Sequence, residues 1–281
     1  YWMQQSQRCH YNHALEYAID RANQMGTRAV VVFALTDDYP DANLRHYYFM
    51  LEGLREVRED LADRGIKMAV CIGSPDTVIV SAARKAVMIV CDRGYLRHQE
   101  QWRTHVAQNV KCPVVQVEGD IIVPVEKASD KCEYAARFLR PKINRLIDRY
   151  LDDLPTIPPE NPSPDINISG EKHLEADRLI KELDIDTSVG PVTSKFKGGA
   201  REAIRLFDQF LRSKAARYQA NRNQPQTDDV SYMGMYLHFG QISPVYLAKK
   251  IKQTSLGPMV TRPKTGTQTM TMVSTTFQIR T

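Results

Sequence analysis

Few stretches of this sequence carry residue types at spacings that could do chemistry. The seven histidines are scattered, and none is followed by a second histidine at i+4, so no metal site is expected. The five cysteines, Cys9, Cys71, Cys91, Cys112 and Cys132, contain no C-x-x-C pair. Their odd number and wide spacing argue against a disulfide framework or a zinc site and fit a reducing cytoplasm. Cys71 and Cys91 lie in apolar runs and read as buried structural thiols. No G-x-G-x-x-G and no G-x-x-x-x-G-K-[ST] occurs, which excludes the usual dinucleotide and P-loop fingerprints. Lys197-Gly198-Gly199 could cradle a phosphate, but the glycines read better as the opening of the next helix.

Charge is unevenly placed. Lys195 to Thr281 holds 14 Lys and Arg against 4 Asp and Glu, whereas the preceding residues hold 24 against 29. A basic part beside an acidic one points to a polyanionic partner, with nucleic acid the first candidate. No run of about 18 apolar residues is present, so no membrane-spanning helix is expected.

These residues need elements to position them. Tyr1–Met3 reads as the end of a strand, and with no initiating methionine or signal pattern the chain is expected to begin inside a longer one. Ala14, Leu15, Ala18, Ile19 and Ala22 recur at helical spacing, so 11–25 reads as an amphipathic helix. Ala29–Ala34 is a continuous apolar run, the pattern of a strand buried on both faces. Asp41 could cap a long helix with Leu44, Tyr47, Leu51, Leu54 and Leu61 on one face, ended by Gly65. Strands at 68–72, 87–91 and 113–117 alternate with helices from Pro75 and over 96–108. This spacing predicts an α/β fold: a Rossmann-like parallel sheet with helices on both faces, whose ligands bind at the carboxyl ends of the strands.

Beyond residue 120 the text changes. Residues 129–150 read as a basic helical segment, and 154–164 (LPTIPPENPSP) as a proline-rich connector. Short helical patterns follow at 171–183, 199–218 and 245–252. The expected domains are 1–120, an α/β unit; 121–194, a helical and proline-rich linker; 195–253, the start of a helical domain; and 254–281, an anomalous tail. That tail has nine Thr and no acidic residue, sustains no period, and is expected to lack a packed element.

Four ordered blocks carry a family resemblance: Tyr1-Trp2-Met3-Gln4 with Gln7-Arg8; Leu44-Arg45-His46-Tyr47 through Glu52-Gly53-Leu54; Val123-Pro124-Val125 with Ala128-Ser129-Asp130-Lys131 through Arg140-Pro141-Lys142-Ile143; and Tyr218 with Arg222-Asn223-x-Pro225, followed by Tyr236-Leu237-His238-Phe239-Gly240-Gln241-Ile242-Ser243-Pro244. The sequence resembles the class II cyclobutane pyrimidine dimer DNA photolyases, of the photolyase and cryptochrome family, almost continuously to about Lys252. The resemblance implies an α/β domain able to hold an antenna chromophore, a deazaflavin or similar. It implies a linker and a helical FAD-binding domain, cut short here. The implied activity is light-driven electron transfer from reduced FAD to a cyclobutane dimer flipped out of UV-damaged DNA.

By that resemblance Tyr218 contacts the FAD phosphates, and Val230, Ser231, Tyr232, Met233 and Gly234 form the loop around the diphosphate. Gly234 and Met235 replace the family's Ser-Pro, which removes one hydroxyl donor. Arg222 and Asn223 face DNA, and His238 and Gln241 hold a helix start. No catalytic residue is assigned. The only tryptophans, Trp2 and Trp102, lie in the α/β part, so no electron relay to the flavin can be assembled from them. The chain alone is therefore expected to bind FAD weakly or not at all and to leave DNA unrepaired. It is expected to act as a cytoplasmic monomer, with DNA and no membrane or protein partner. Two other readings stand beside this one: a non-enzymatic cryptochrome-like or DNA-binding flavoprotein remnant, and a small nucleotide-binding α/β domain with an unrelated appendage.

Overall fold

The structure, a computed structural model, describes residues 1–254. The expectation for the Thr-rich tail falls outside these residues, apart from Thr254.

Five strands form one parallel sheet. Its elements are β1 (Trp2–Met3), α1 (His13–Gln24), β2 (Val30–Leu35), α2 (Leu44–Asp63), β3 (Lys67–Ile72), α3 (Pro75–Ala82), β4 (Ile89–Asp92), α4 (Arg97–Asn109) and β5 (Val114–Val117). The strand order is β3-β2-β1-β4-β5, and every pair is parallel. β1 is central. The chain first runs outward through β2 to β3, then crosses back to β4 on the other side of β1. That reversal makes β1 and β4 the topological switch point, where a crevice opens beyond the strand ends.

Local chemistry explains the elements. The β2 run of Val, Phe, Ala and Leu is buried from Val31 to Leu35, as a strand covered on both faces must be. Asn12 caps α1, its side chain accepting from the Leu15 N–H at 3.0 Å. α2 is capped by Asn43 rather than Asp41, which adopts a left-handed φ of 60° just before it. α2 buries Tyr47, Leu51, Leu54, Val57 and Leu61, and four of these five were placed on its inner face by periodicity alone. Gly65, φ 73°, follows the helix end.

After the sheet come α5 (Val125–Ala128), α6 (Ala136–Tyr150) and α7 (Ala176–Leu179). The segment expected to be helical from 129 is helical only from Ala136. The proline-rich connector lies against the sheet unit. Ser163 Oγ accepts from the Lys67 N–H at 2.9 Å and donates to the Ala29 carbonyl at 2.6 Å. Leu174, Leu179 and Leu183 join the same core as α1, α2 and β3.

The last elements are α8 (Ala200–Ser213), α9 (Ala215–Asn221), α10 (Met233–His238) and α11 (Pro244–Gln253). The helix read over 199–218 is broken at Lys214, whose ammonium pairs with Asp228 at 2.7 Å. A separate core of Ala203, Phe207, Phe210, Met233, Tyr236, Ile242 and Leu247 holds these helices, and Phe49 of α2 packs on it. Among the described residues no helix is long and apolar enough to cross a membrane. All five cysteines are free.

Candidate functional site

The crevice at the switch point is a cavity of about 570 Å³, in the range typical of small-molecule sites. β1 and β2 supply its floor (Met3, Phe33, Leu35), and α4 adds Trp102. Loops add Tyr39, Tyr95 and the amides Gln4, Gln5 and Gln7. Leu237, His238 and Phe239, at the end of α10, close it from the helical unit.

Asp92, at the end of β4, shapes this mouth. Its buried carboxylate accepts from the Gln4 N–H at 2.8 Å, the Ser6 N–H at 2.9 Å and the Tyr1 hydroxyl at 2.7 Å. Burial, and then the nearby Asp120 carboxylate, raise its pKa to about 6 against the lowering effect of these donors. Arg8 continues the same loop and is 1% exposed. It donates to the Gly119 carbonyl at 2.7 Å, to Asp120 at 3.0 Å and to the Gly240 carbonyl at 2.9 Å. The loop that lines the cavity is thus bound to the helical unit. His13 beside it is driven down to about 4, by burial first and Arg8 second. Gln4 Nε2 and Oε1, Gln5 Oε1 and Gln7 Oε1 have no partner among the described residues. Apolar and aromatic walls with a few unsatisfied amides fit a planar heteroaromatic ligand. The sequence places a ligand at the strand ends but does not assign these residues to it, because they come together from loops and helices far apart in the chain.

The second region holds the residues singled out by resemblance. The Asp229 carboxylate accepts from Arg217 Nε at 3.1 Å and Nη2 at 2.8 Å, and from Asn221 at 2.6 Å. It ties α9, which carries Tyr218, to the segment carrying Val230–Gly234. Tyr218 is 38% exposed and stands edge-on to Phe210 at 5.7 Å. Ser231 Oγ accepts from the Met233 N–H at 3.4 Å, leaving its own proton free to donate. Tyr232 takes a left-handed φ of 59° before α10, and Lys195 and Lys214 lie 5.8 and 5.7 Å from its ring centre. Met233 turns its side chain into the helical core, so it offers only backbone, and Gly234 opens α10 rather than a loop. Arg222 and Asn223 follow α9, and both are exposed. The Lys214 ammonium and the Tyr232 hydroxyl are both held by the Asp228 carboxylate, so it is the Lys195 ammonium and the Ser231 hydroxyl that suit a phosphate-bearing ligand here. Neither the switch-point cavity nor a second one of about 260 Å³ near Arg93 and Arg103 is lined by Tyr218 or Val230–Gly234.

Gln241 belongs to structure. Fully buried, it accepts from the Gly199 N–H at 2.8 Å and donates to the Phe49 carbonyl at 3.2 Å, joining α8 to α2. Gly199 is the N-cap of α8, so the Lys197-Gly198-Gly199 stretch opens a helix. Among the described residues no cluster of His, Cys, Asp or Glu could hold a metal.

A parallel sheet with a roofed cavity at its switch point, followed by a helical unit, defines a ligand-binding α/β protein. Residues 1–161 match the family model described as DNA photolyase, and the chain belongs to that family. The deoxyribodipyrimidine photo-lyase of Methanothermobacter thermautotrophicus is 43% identical over 258 residues, covering 92% of this chain and 57% of that protein. The one from Potorous tridactylus is 32% identical over 247 residues, covering 86% of this chain and 46% of its own. The chain therefore spans about half the length of the curated relatives it matches. A cryptochrome from Synechocystis sp. aligns with a TM-score of 0.72 at 16% identity, over 91% of this chain and 56% of that one. An archaeal photolyase from Sulfolobus tokodaii, solved with two FAD molecules, aligns at 0.62 and 17% identity, over 90% and 55%. At these identities the likeness to solved structures is one of fold.

Proposed function

We propose that the protein carrying this sequence is a deoxyribodipyrimidine photolyase of class II type, acting as a monomer on cyclobutane pyrimidine dimers in UV-damaged DNA. The observation that supports this reading is the reach of the 43% identity. A span of 258 residues, 92% of the chain, passes well beyond residue 161 and into the helical unit that carries α9, the Val230–Gly234 segment and α10. FAD bound there would supply the light-driven one-electron chemistry that opens the dimer's carbon–carbon bonds. Tyr218, Ser231 and the backbone of Val230, Tyr232, Met233 and Gly234 hold its diphosphate, with Lys195 balancing the charge. Arg222 and Asn223 face the DNA. The cavity between β1 and β4 takes the antenna chromophore, a deazaflavin or similar, with its polar edge toward Gln4, Gln5 and Gln7.

In these residues the flavin contacts are one-sided: Tyr218 is exposed and lines no described cavity. The 281-residue chain by itself holds FAD weakly. The test is the absorption spectrum of the purified chain before and after incubation with FAD and with 8-hydroxy-5-deazaflavin. Saturable binding of the deazaflavin alongside sub-stoichiometric FAD is expected. Absence of binding by either chromophore contradicts the reading.

A further inference from the structure

Among the described residues two arginines, Arg8 and Arg103, are almost wholly buried, and they are satisfied very differently. Arg8, 1% exposed, directs its donors to four acceptors, one of them the Asp120 carboxylate. Arg103, on α4, is 5% exposed and makes one hydrogen bond among those residues, from Nη2 to the Gly94 carbonyl at 2.6 Å. A guanidinium carries five N–H donors. Arg103 Nη1 is enclosed and has no partner there. Burial, first, holds its pKa below the ordinary guanidinium value, with Arg93 adding to this and Cys91 and Glu100 opposing it. A buried cation with neither an ion-pair partner nor a full set of acceptors is costly to keep.

Arg103 lines the second cavity, of about 260 Å³. Arg93 lines it too, with one side of its guanidinium on the Glu126 carboxylate and its plane 5.4 Å from the centre of the Tyr95 ring. Thr104, next on α4, adds a hydroxyl, and Gln116, in β5, adds an amide. The one carboxylate among the described lining residues is that of Glu100, which is exposed to water. Two guanidinium groups, a hydroxyl and an amide against one solvated carboxylate make this wall rich in donors and positive. Such a set matches an oxyanion, whose several oxygens accept from guanidinium forks. The volume falls below the usual range for larger organic ligands and suits a phosphate group with few atoms attached. We propose that this cavity is an oxyanion site, in which a phosphate group is held by Arg103 and Arg93 and completed by Thr104 and Gln116. Neither Tyr218 nor Val230–Gly234 lines it, so it is not the flavin segment. It needs no chromophore, no light and no DNA.

The test is a titration of the purified 281-residue chain with sodium phosphate, at ionic strength held constant with sodium chloride, read by melting temperature and calorimetry. The melting temperature should rise saturably with phosphate and not with chloride alone. Arg103→Gln, checked for folding by circular dichroism, should weaken phosphate binding about ten-fold or more. Two gentler variants decide the matter if that one fails to fold. Gln116→Glu is close in shape and supplies a carboxylate of its own, so it should raise the melting temperature without phosphate and remove most of the phosphate response. Glu100→Gln, at an exposed position, should tighten phosphate binding about two- to five-fold. Glycerol phosphate, run in parallel, separates the sources: equal affinity assigns the site to the free anion and tighter binding to a small phosphate ester, and either supports it. No saturable response beyond that of chloride overturns the proposal. So does a response that Gln116→Glu and Glu100→Gln both leave unchanged, since phosphate then binds elsewhere. Because no flavin, light or dimer enters the assay, its failure is distinguishable from failure of the photolyase reading.

Discussion

Arg8 Nη1 donates to the carbonyl of Gly240 at 2.9 Å, joining residues 232 positions apart. It places the cavity-lining loop and the end of α10 in one hydrogen-bonded unit. Arg8 is held by four acceptors, the carbonyls of Tyr11, Gly119 and Gly240 and the Asp120 carboxylate. Arg8→Met should cost about 3–5 kcal/mol, because it takes this donor from the Gly119 and Gly240 carbonyls and leaves Asp120 without its ion-pair partner. Urea denaturation of wild type and variant measures this. Arg8→Lys should recover only part of it, since one ammonium cannot reach acceptors arranged for a fork.

Gly240 makes a sharper comparison. Its φ is +63°, and a Cβ there would stand 1.6 Å from the Gln5 carbonyl oxygen. Gly26 has nearly the same φ, +61°, with nothing within 4 Å of a Cβ. Gly26→Ala should cost about 1–2 kcal/mol, the ordinary left-handed penalty. Gly240→Ala should cost clearly more, since backbone must also move. Equal losses in parallel denaturation curves would show that the two units do not meet as described.

Asp92 gives a pH signature. Burial and Asp120 raise its folded pKa to about 6, above the ordinary carboxylate value. The folded state therefore binds more protons than the unfolded state between about pH 4 and 6. The contribution of Asp92 is present below that window and is lost as pH rises through it. Asp92→Asn should remove this component, so the stability difference between variant and wild type should change across about pH 4–7 and level off above. Melting curves at several pH values test this, and a constant difference contradicts it.

The cavity can be filled without touching the flavin segment. Ala42 lines it and is only partly buried. Ala42→Trp should abolish antenna-chromophore binding, read by absorbance of the reconstituted protein, and should leave the melting temperature nearly unchanged. Full chromophore binding in this variant would place the ligand elsewhere.

The sequence made parts of this molecule plain. The strand read at Ala29–Ala34, which forms as Val30–Leu35, is legible because its apolar run has no polar break, and the inner face of α2 follows from periodicity. Strand order does not follow from either, since β1 and β4 pair through a crossover that leaves no local pattern. The break at Lys214 was also hidden: nothing in 199–218 disfavours a helix, and the bend comes with a contact to Asp228, fourteen residues later. The cavity was hidden for a similar reason. Gln4, Tyr39, Trp102 and Phe239 meet only through the fold. Tyr218 and Val230–Gly234 are singled out by resemblance alone, and the Asp229 carboxylate that ties their elements together could not be read from spacing.

The most direct measurement is light-dependent survival of UV-irradiated, photolyase-deficient bacteria expressing the gene that carries this sequence, with dimer content of their DNA measured in parallel. Survival should rise and dimers should disappear under blue light and not in darkness, with the effect reduced by Tyr218→Ala. Equal survival and equal dimer content in light and dark, with the protein expressed and folded, would contradict a photolyase and favour a flavoprotein that binds without repairing.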